Sequence, residues 1–343
     1  MPTYDMEEKE LDHLVKELRS KIDTIHRLLS TQGLLEYPLG VSRRLGSNET
    51  NSCSPFDYYL DACTNGMSGG GSSGDTSFMI LCTALVFMMT IPGLGLYYSG
   101  MVKVKNVPSA VMQCLSIVAV CTLTYMIFGY SLAFGPPNPE DGGHSSLFYG
   151  DDSRFWLWGM SRTSSTVIAP TIPEFVFAAY QLTFAIVTQA LICGSIADRI
   201  SYTSMLLVMA LWHISAYHTH VLISFDDLTG VYCPIAHANW HPDGFLKKAG
   251  VMDFAGGNVV HISSGCAGFM ATLIIGGRRS YDKEIYEPQN VLLTYIGASL
   301  LWVGWFGFNA GSALSASALA GQSLLNTQIA TSSGAMSWML LEW

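Results

Sequence analysis

Residues 252–276 read MDFAGGNVVHISSGCAGFMATLIIG and keep two ionisable side chains, Asp253 and His261, in an otherwise uncharged segment. The apolar run that begins at residue 254 is long enough for an α-helix to cross about 30 Å of hydrocarbon. Ionisable side chains in such a helix are costly and usually face the bundle interior or a polar cavity. This stretch therefore predicts a membrane helix whose two ionisable side chains face the bundle interior or a polar cavity.

The composition of the whole chain agrees with a membrane protein. Half of the 343 residues are hydrophobic and only 13% are charged, whereas soluble domains carry roughly 25% charged residues. The segments that stay apolar for about 20 residues are 77–98, 107–134, 174–195, 203 to about 225, 254–276, 291–310 and 324–343. The sequence therefore predicts an all-α polytopic membrane helical bundle. These segments leave little room for a soluble enzyme domain, so we expect no enzyme.

The first 75 residues differ from the rest in composition. Apolar residues at alternating steps of four and three between Leu11 and Leu29 indicate a short coiled coil or a lone amphipathic helix within residues 1–30. Residues 31–75 are rich in Ser, Gly and Asn and predict a flexible extracellular linker. Asn48 in this segment could be glycosylated, and Cys53 and Cys63 could form a disulfide, only if the segment lies outside the cell. The membrane domain then covers residues 76–343.

Charge and motif searches exclude several partners. The net charge of −9 comes without a basic patch, so no nucleic acid is expected. The histidine and cysteine spacings match no compact zinc pattern, and no metal or cofactor is expected. Lys and Arg residues are slightly more frequent in the loops that face inside if the N-terminus is outside. We therefore expect a plasma-membrane protein with an extracellular N-terminus.

The spacing of Asp253 and His261 suggests what each could do. On a helix, eight residues span about 12 Å and leave the two side chains roughly 80° apart. Asp253 stands at the helix start, where a carboxylate can accept backbone N–H bonds. His261 falls near the middle of the membrane. From these residues alone, a cap for Asp253 and an interhelical hydrogen bond for His261 are slightly favoured over functional roles.

Five further stretches, taken in order, closely resemble the ammonium transporter family, the Amt/Mep branch of the Amt/Mep/Rh superfamily. They are PGLGLYYSGMVKVKNV, TFAIVTQALICGSIADRI, PIAHANW, GVMDFAGGNVVHISSG and LLWVGWFGFNAGSA, and the resemblance covers about residues 75–343. It implies a helical bundle of two inverted repeats, with the substrate path between them, assembled as a homotrimer in the lipid bilayer. The second repeat is incomplete within residues 1–343.

The resemblance implies an ammonium site and a gate. Trp240 resembles the aromatic wall of the recruitment site, and Ser312 resembles its hydrogen-bonding hydroxyl. An ammonium ion can be held by cation–π attraction together with a hydroxyl acceptor. Phe184 resembles a ring shared by the site and the gate, and Phe308 resembles the second gate ring, so that the stacked rings close an apolar constriction to hydrated ions.

The same resemblance gives Asp253 and His261 their roles. Asp253 would support the outer site and favour a cation there without touching it. His261 would be the first of two pore histidines. The implied mechanism is capture of ammonium, loss of its proton near the gate, passage of ammonia along the histidines and separate transfer of the proton. Ammonium, ammonia or methylammonium is the expected substrate.

Two departures from the family pattern lead to further expectations. The partner of His261 does not occur in residues 1–343, so we expect this stretch alone not to conduct and a longer parent to encode a second membrane histidine. The rival interpretation is a non-conducting membrane scaffold or regulatory subunit of a transporter trimer. In addition, 15 extra residues near 218–232 separate Tyr217 from Cys233. These residues could be an artefact of gene prediction, such as an unspliced piece, and would then be absent from the protein. If they are a real insert, they shift Trp240 unless they form a loop.

Overall fold

The computed structural model describes residues 71–136, 149–161, 163–214, 232–278 and 289–343. The predicted N-terminal helix, the sequon, the cysteine pair and nearly all of the predicted linker lie outside these ranges. So does the 15-residue insert, apart from Tyr232. Within the described ranges the chain is helical and contains no β-strand. The predicted all-α class is therefore confirmed.

The described helices follow one another along the chain. They are α1 (Ser73–Met101), α2 (Val104–Phe134), α3 (Glu174–Ile196), α4 (Tyr202–Ile214), α5 (Tyr232–Trp240), α6 (Phe245–Lys248), α7 (Gly257–Ile275), α8 (Val291–Gly311) and α9 (Ala318–Glu342). A single turn of 3₁₀ helix, Phe155–Leu157, lies between α2 and α3.

Five of the described helices are long and apolar enough to cross a membrane, namely α1, α2, α3, α7 and α8. Their bounds lie close to the predicted spans. The prediction for the last span was only partly right. A helix does form there, but it begins at Ala318 rather than Leu324. Its first half contains the polar residues Gln322, Asn326 and Gln328, and the helix is not among those apolar enough to cross a membrane.

Local sequence explains where the helices begin and where they widen. The Ser72 hydroxyl accepts a hydrogen bond from the Asp75 N–H at 3.1 Å at the start of α1, and Asn290 caps α8 in the same way. Within α1, Pro92 lies in a π-helical turn, because proline lacks the N–H that a regular turn requires. α7 also opens with a π-helical turn, Gly257–Ile262, and such turns are frequent at functional sites.

Helix α3 is the most buried of the five apolar helices and forms the centre of the bundle. α8 packs along α1 at very short distance. A Cβ at Gly304 would lie 2.3 Å from the Met89 Cβ, so this approach requires glycine. Close packing through small residues is the usual way in which helices associate in lipid, and here it fixes the position of α8 against α1.

A buried ion pair ties the connection between α2 and α3 to the bundle. The Arg154 Nε lies 2.9 Å from Glu174 Oε1, and the Tyr130 hydroxyl donates to the same oxygen at 3.1 Å. The Glu174 side chain is 3% exposed, so its charge needs these partners. The pair therefore holds the described part of this connection beside the start of α3.

The junction of α4 and α5 bears on the extra residues. The described part of α4 runs to Ile214, and α5 begins at Tyr232. The Cys233 thiol donates to the His213 carbonyl oxygen at 3.2 Å. α5 therefore starts directly at the end of the described part of α4, and Trp240 contacts Phe184 of α3 and the Asp253 backbone just before α7.

Candidate functional site

A cavity of about 260 Å³ lies where α3, α5, the start of α7 and the end of α8 meet. We call it the Trp240 cavity. Its lining includes Tyr180, Phe184, Trp240, Asp253 and Ser312. Four of the six site residues predicted from the sequence thus line one space, although they are far apart in the chain.

Trp240 is fixed on three sides. Its ring stands edge-on to Phe184, with 5.6 Å between the ring centroids and an interplanar angle of 87°. It also stacks on Phe134 at 6.3 Å. The indole Nε1 donates to the Asp253 backbone carbonyl at 2.9 Å. These contacts leave an oriented aromatic ring in the wall of the cavity.

The Asp253 carboxylate caps the first turn of α7. Its Oδ1 accepts from the N–H groups of Gly256 and Gly257 at 2.6 and 2.9 Å, and its Oδ2 accepts from Asn258 and Val259, both at 2.9 Å. Carboxylates are favoured at helix N-termini because those N–H groups have no helical partner. The side chain thus organises α7, while the backbone of the same residue holds Trp240.

The turn that Asp253 caps requires glycine at position 256. Gly256 adopts a left-handed conformation with φ of 85°. A Cβ at this position would lie 2.6 Å from Val260 Cγ2. Gly256 therefore permits the sharp entry into α7 that brings Asp253 under the cavity.

Phe184 and Phe308 form a closed stack at the base of the cavity. Their centroids are 4.3 Å apart, with an interplanar angle of 22°. Each is 1% exposed. The stack lies between the Trp240 cavity, which Phe184 lines, and His261, whose ring centroid is 6.1 Å from that of Phe308.

His261 lies on the other side of the stack in a more open space of about 600 Å³, which we call the His261 groove. Its ring stacks on Trp305, with 5.5 Å between centroids and 10° between the planes. Asp253, Asn258 and Asn309 also line this groove. The His261 side chain is exposed in the described part of the chain. Its main contact there is the stack on Trp305.

Sequence reasoning missed two residues that complete this arrangement. Tyr180 precedes Phe184 by four positions, and Trp305 precedes Phe308 by three. Both spacings place side chains on the same face of a helix, so the signal was present in YQLTF and WFGF. Neither pattern stands out among the many aromatic residues of the spans.

The charges around the Trp240 cavity are modest. Asp253 and the exposed Lys247 are its only charged lining residues among those described. In the turn after α5, burial lowers the pKa of His241, and the nearby Asp243 carboxylate partly opposes this effect. Within the described ranges, no group of three His, Cys, Asp or Glu side chains is placed to hold a metal ion.

The apolar helices define a multi-pass membrane protein, and the Trp240 cavity inside it is closed at its base by an aromatic stack. Comparison with known proteins makes this specific. Residues 77–343 match the model of the Ammonium Transporter Family. The chain belongs to that family.

Individual relatives agree with the family assignment. The chain is 40% identical to an ammonium transporter of Bacillus subtilis over 272 residues, covering 79% of this chain and 60% of the relative. It is 33% identical to ammonium transporter 1 of Dictyostelium discoideum, over 85% of this chain and 58% of that one. The crystal structure of Candida albicans Mep2 aligns with a TM-score of 0.67 at 32% identity, covering 80% of this chain and 55% of Mep2. The chain thus spans about 60% of the length of the curated relatives that it matches.

Proposed function

We propose that this protein transports ammonium across a membrane and that the Trp240 cavity is where the ion is first bound. The observation that carries the proposal is that one cavity unites an oriented indole, a hydroxyl and a closed aromatic stack. Relatives named ammonium transporters over most of this chain support it, and they favour transport over the non-conducting scaffold that the sequence left open.

The chemistry of the cavity suits a small cation with N–H donors. The Trp240 ring offers its negative face for cation–π attraction. The Ser312 hydroxyl donates its proton to the Phe308 carbonyl at 2.9 Å, so its lone pairs are left to accept from a ligand. Lys247 opposes a cation at the rim, but its exposure allows salt to screen that charge.

The remaining roles follow from the positions of the residues. Asp253 favours a cation in the cavity through its negative charge, while its oxygens stay bonded to α7. The Phe184 and Phe308 stack excludes hydrated ions, because passing it requires the ion to lose its water. His261, beyond the stack, receives ammonia after ammonium has released its proton to water in the Trp240 cavity. Among the described residues of this site, no nucleophile is paired with a base, so we propose no enzymatic activity.

We also propose the finer properties that the sequence indicated. These are a plasma-membrane location, an extracellular N-terminus, contact with the lipid bilayer and assembly as a homotrimer.

Binding of ammonium tests the proposed function separately from conduction. Isothermal titration calorimetry on the full chain in lipid nanodiscs should show saturable binding of ammonium chloride, and none of sodium chloride. Methylammonium should compete with ammonium for the same site. Absence of ammonium binding by folded protein would contradict the proposal.

A further inference from the structure

The end of α5 is joined to the end of α2 through side chains on both sides of Trp240 in the chain. The Trp240 ring stacks on Phe134, with 6.3 Å between the centroids and 11° between the planes. Three residues earlier, the buried His237 donates from Nδ1 to the Ala133 carbonyl at 3.1 Å. Because Ala133 and Phe134 are neighbours at the end of α2, these two contacts hold one face of α5 against one short piece of chain.

His241 adds a third contact directly after Trp240. It is 4% exposed, and its ring stacks on that of His237, with 4.4 Å between the centroids and 17° between the planes. Its Nδ1 accepts a hydrogen bond from the Asp243 N–H at 3.1 Å. The imidazole also bonds the backbone of Gly135. A ring nitrogen that accepts carries no hydrogen, so the single ring proton is on Nε2, which donates to the Gly135 carbonyl.

The turn after α5 is closed tightly around this ring. The His241 N–H donates to the His237 carbonyl at 3.0 Å, and the Gly244 N–H donates to the His241 carbonyl at 3.0 Å. A Cβ on Gly244 would lie 2.2 Å from the His237 carbonyl oxygen. The turn is packed too closely to absorb a movement of the His241 ring, so such a movement reaches Trp240, the residue before it.

A second proton on His241 is incompatible with this arrangement. An imidazolium carries a hydrogen on both ring nitrogens, so its Nδ1 would meet the Asp243 N–H donor to donor. The ring would have to turn, and turning it breaks the bond to Gly135 and the stack on His237 as well. Trp240 would then lose the support that follows it in the chain.

The surroundings of His241 decide at which pH the second proton binds. Burial has the largest effect and lowers its pKa, the Asp243 carboxylate opposes this effect, and Lys248 reinforces it. The described titratable and charged groups that face this ring or the Gly135 backbone are Asp151, Arg154, Glu174, His237, Asp243 and Lys248. Arg154 and Glu174 form an ion pair and largely neutralise each other. The His241 ring is therefore neutral at neutral pH and gains its proton below the usual range of histidine.

We infer that His241 is a positioning residue that holds Trp240 in the wall of the cavity only while its imidazole is neutral, so that acid weakens ammonium binding. The inference rests on the proposed function for its ligand. Its geometric part, the coupling of the His241 ring to the stack of Trp240 on Phe134, does not depend on that function.

The direct test is a calorimetric titration of the full chain in lipid nanodiscs with ammonium chloride at about pH 7.5 and at about pH 5. Ammonium stays protonated over this range, so the ligand does not change. We expect binding to be about fivefold weaker at the lower pH, as for the loss of one ordinary hydrogen bond, and to recover at neutral pH. A cryo-electron microscopy structure at the lower pH should show the Trp240 and Phe134 centroids farther apart than 6.3 Å.

His241→Asn separates the titration of this ring from that of every other group. The amide oxygen of asparagine can accept from the Asp243 N–H, as in an Asx turn, and the amide does not titrate. We expect this variant to bind ammonium with the same affinity at both pH values. Asp253 and His261 are still present in it, so an acid effect that came from either of them would persist.

Lys248→Gln is the matched variant in which His241 is kept. Lys248 does not line the Trp240 cavity, so the ammonium affinity at neutral pH should be unchanged. Because the removed charge opposes the imidazolium, the pKa of His241 should rise, and the loss of ammonium binding should begin at a higher pH than in the unsubstituted chain. This shift keeps the inference testable even if His241→Asn does not fold.

The outcomes separate this inference from the proposed function. An equal acid loss in the unsubstituted chain and in His241→Asn would assign the effect to another group and overturn the inference. Unchanged affinity and unchanged spacing of Trp240 and Phe134 at the lower pH would overturn it as well. If the unsubstituted chain binds no ammonium at either pH, the proposed function fails, and the ring spacing at the lower pH still decides whether His241 positions Trp240.

Discussion

Trp240 and His261, on the two sides of the Phe184–Phe308 stack, are held by different contacts. On the side of the Trp240 cavity, hydrogen bonds fix the lining: four backbone N–H groups on Asp253, the indole on the Asp253 carbonyl, and the Ser312 hydroxyl on the Phe308 carbonyl. In the His261 groove, the imidazole is exposed and stacks on Trp305. Directional bonds define an exact geometry, whereas stacking tolerates displacement. Binding specificity should therefore reside in the cavity.

Removal of the Asp253 carboxylate should have the largest effect. Asp253→Ala leaves four first-turn N–H groups without their acceptor. Two of them, at Gly256 and Val259, are buried, and unsatisfied buried donors cost about 1–3 kcal/mol each. We expect a loss of about 3 kcal/mol or more in the free energy of unfolding and no measurable ammonium binding. Chemical denaturation in detergent and calorimetry measure the two effects.

Asp253→Asn serves as the control for charge. It retains an oxygen acceptor for part of the turn, so it should recover much of the stability. It should recover little of the ammonium affinity, because the negative charge is gone. Full recovery of binding would show that charge at this position does not matter.

Gly256→Ala should have the next largest effect. A left-handed backbone costs a residue with a Cβ about 1–2 kcal/mol, and the new methyl group also meets the Val260 side chain. We expect a lower melting temperature and weaker ammonium binding, because α7 enters the cavity at the wrong angle.

The neighbouring Gly257→Ala is the matched control. No atom lies within 4 Å of a Cβ at Gly257, and it has no positive φ. Its melting temperature and ammonium affinity should match those of the unsubstituted chain. Equal effects of the two alanine variants would refute the role given to the conformation of Gly256.

Trp240→Leu should weaken ammonium binding by about tenfold without unfolding the protein, because it removes the cation–π surface while leaving an apolar side chain. Trp240→Phe should lose less, since a smaller aromatic face remains. The dissociation constants of the two variants check this order. Identical losses would indicate that only the shape of the cavity matters.

His261→Ala should have the smallest effect on binding. The ring contributes one aromatic stack, worth about 0.5–1.5 kcal/mol, and lies beyond the Phe184–Phe308 stack. We expect ammonium affinity within about twofold of the unsubstituted chain, as expected for a group outside the binding cavity. A large loss of affinity would remove the distinction between the two sides.

Hydropathy predicted the apolar helices well, because span length depends on the thickness of the hydrocarbon and not on tertiary packing. The position of Asp253 at a helix start could also be read from the residues. The stack of Phe184 and Phe308 came only from a family resemblance, because isolated aromatic residues in a span look like core. The Tyr180 bond to Phe308 joins residues 128 positions apart, and no local pattern predicts such a pairing.

The most direct test of the account is a calorimetric titration of the full chain in lipid nanodiscs with ammonium chloride, carried out in parallel on Trp240→Leu. We predict saturable binding at one site per chain, weakened about tenfold by the substitution. Saturable binding with the same affinity in Trp240→Leu would place the ammonium site elsewhere and contradict the account.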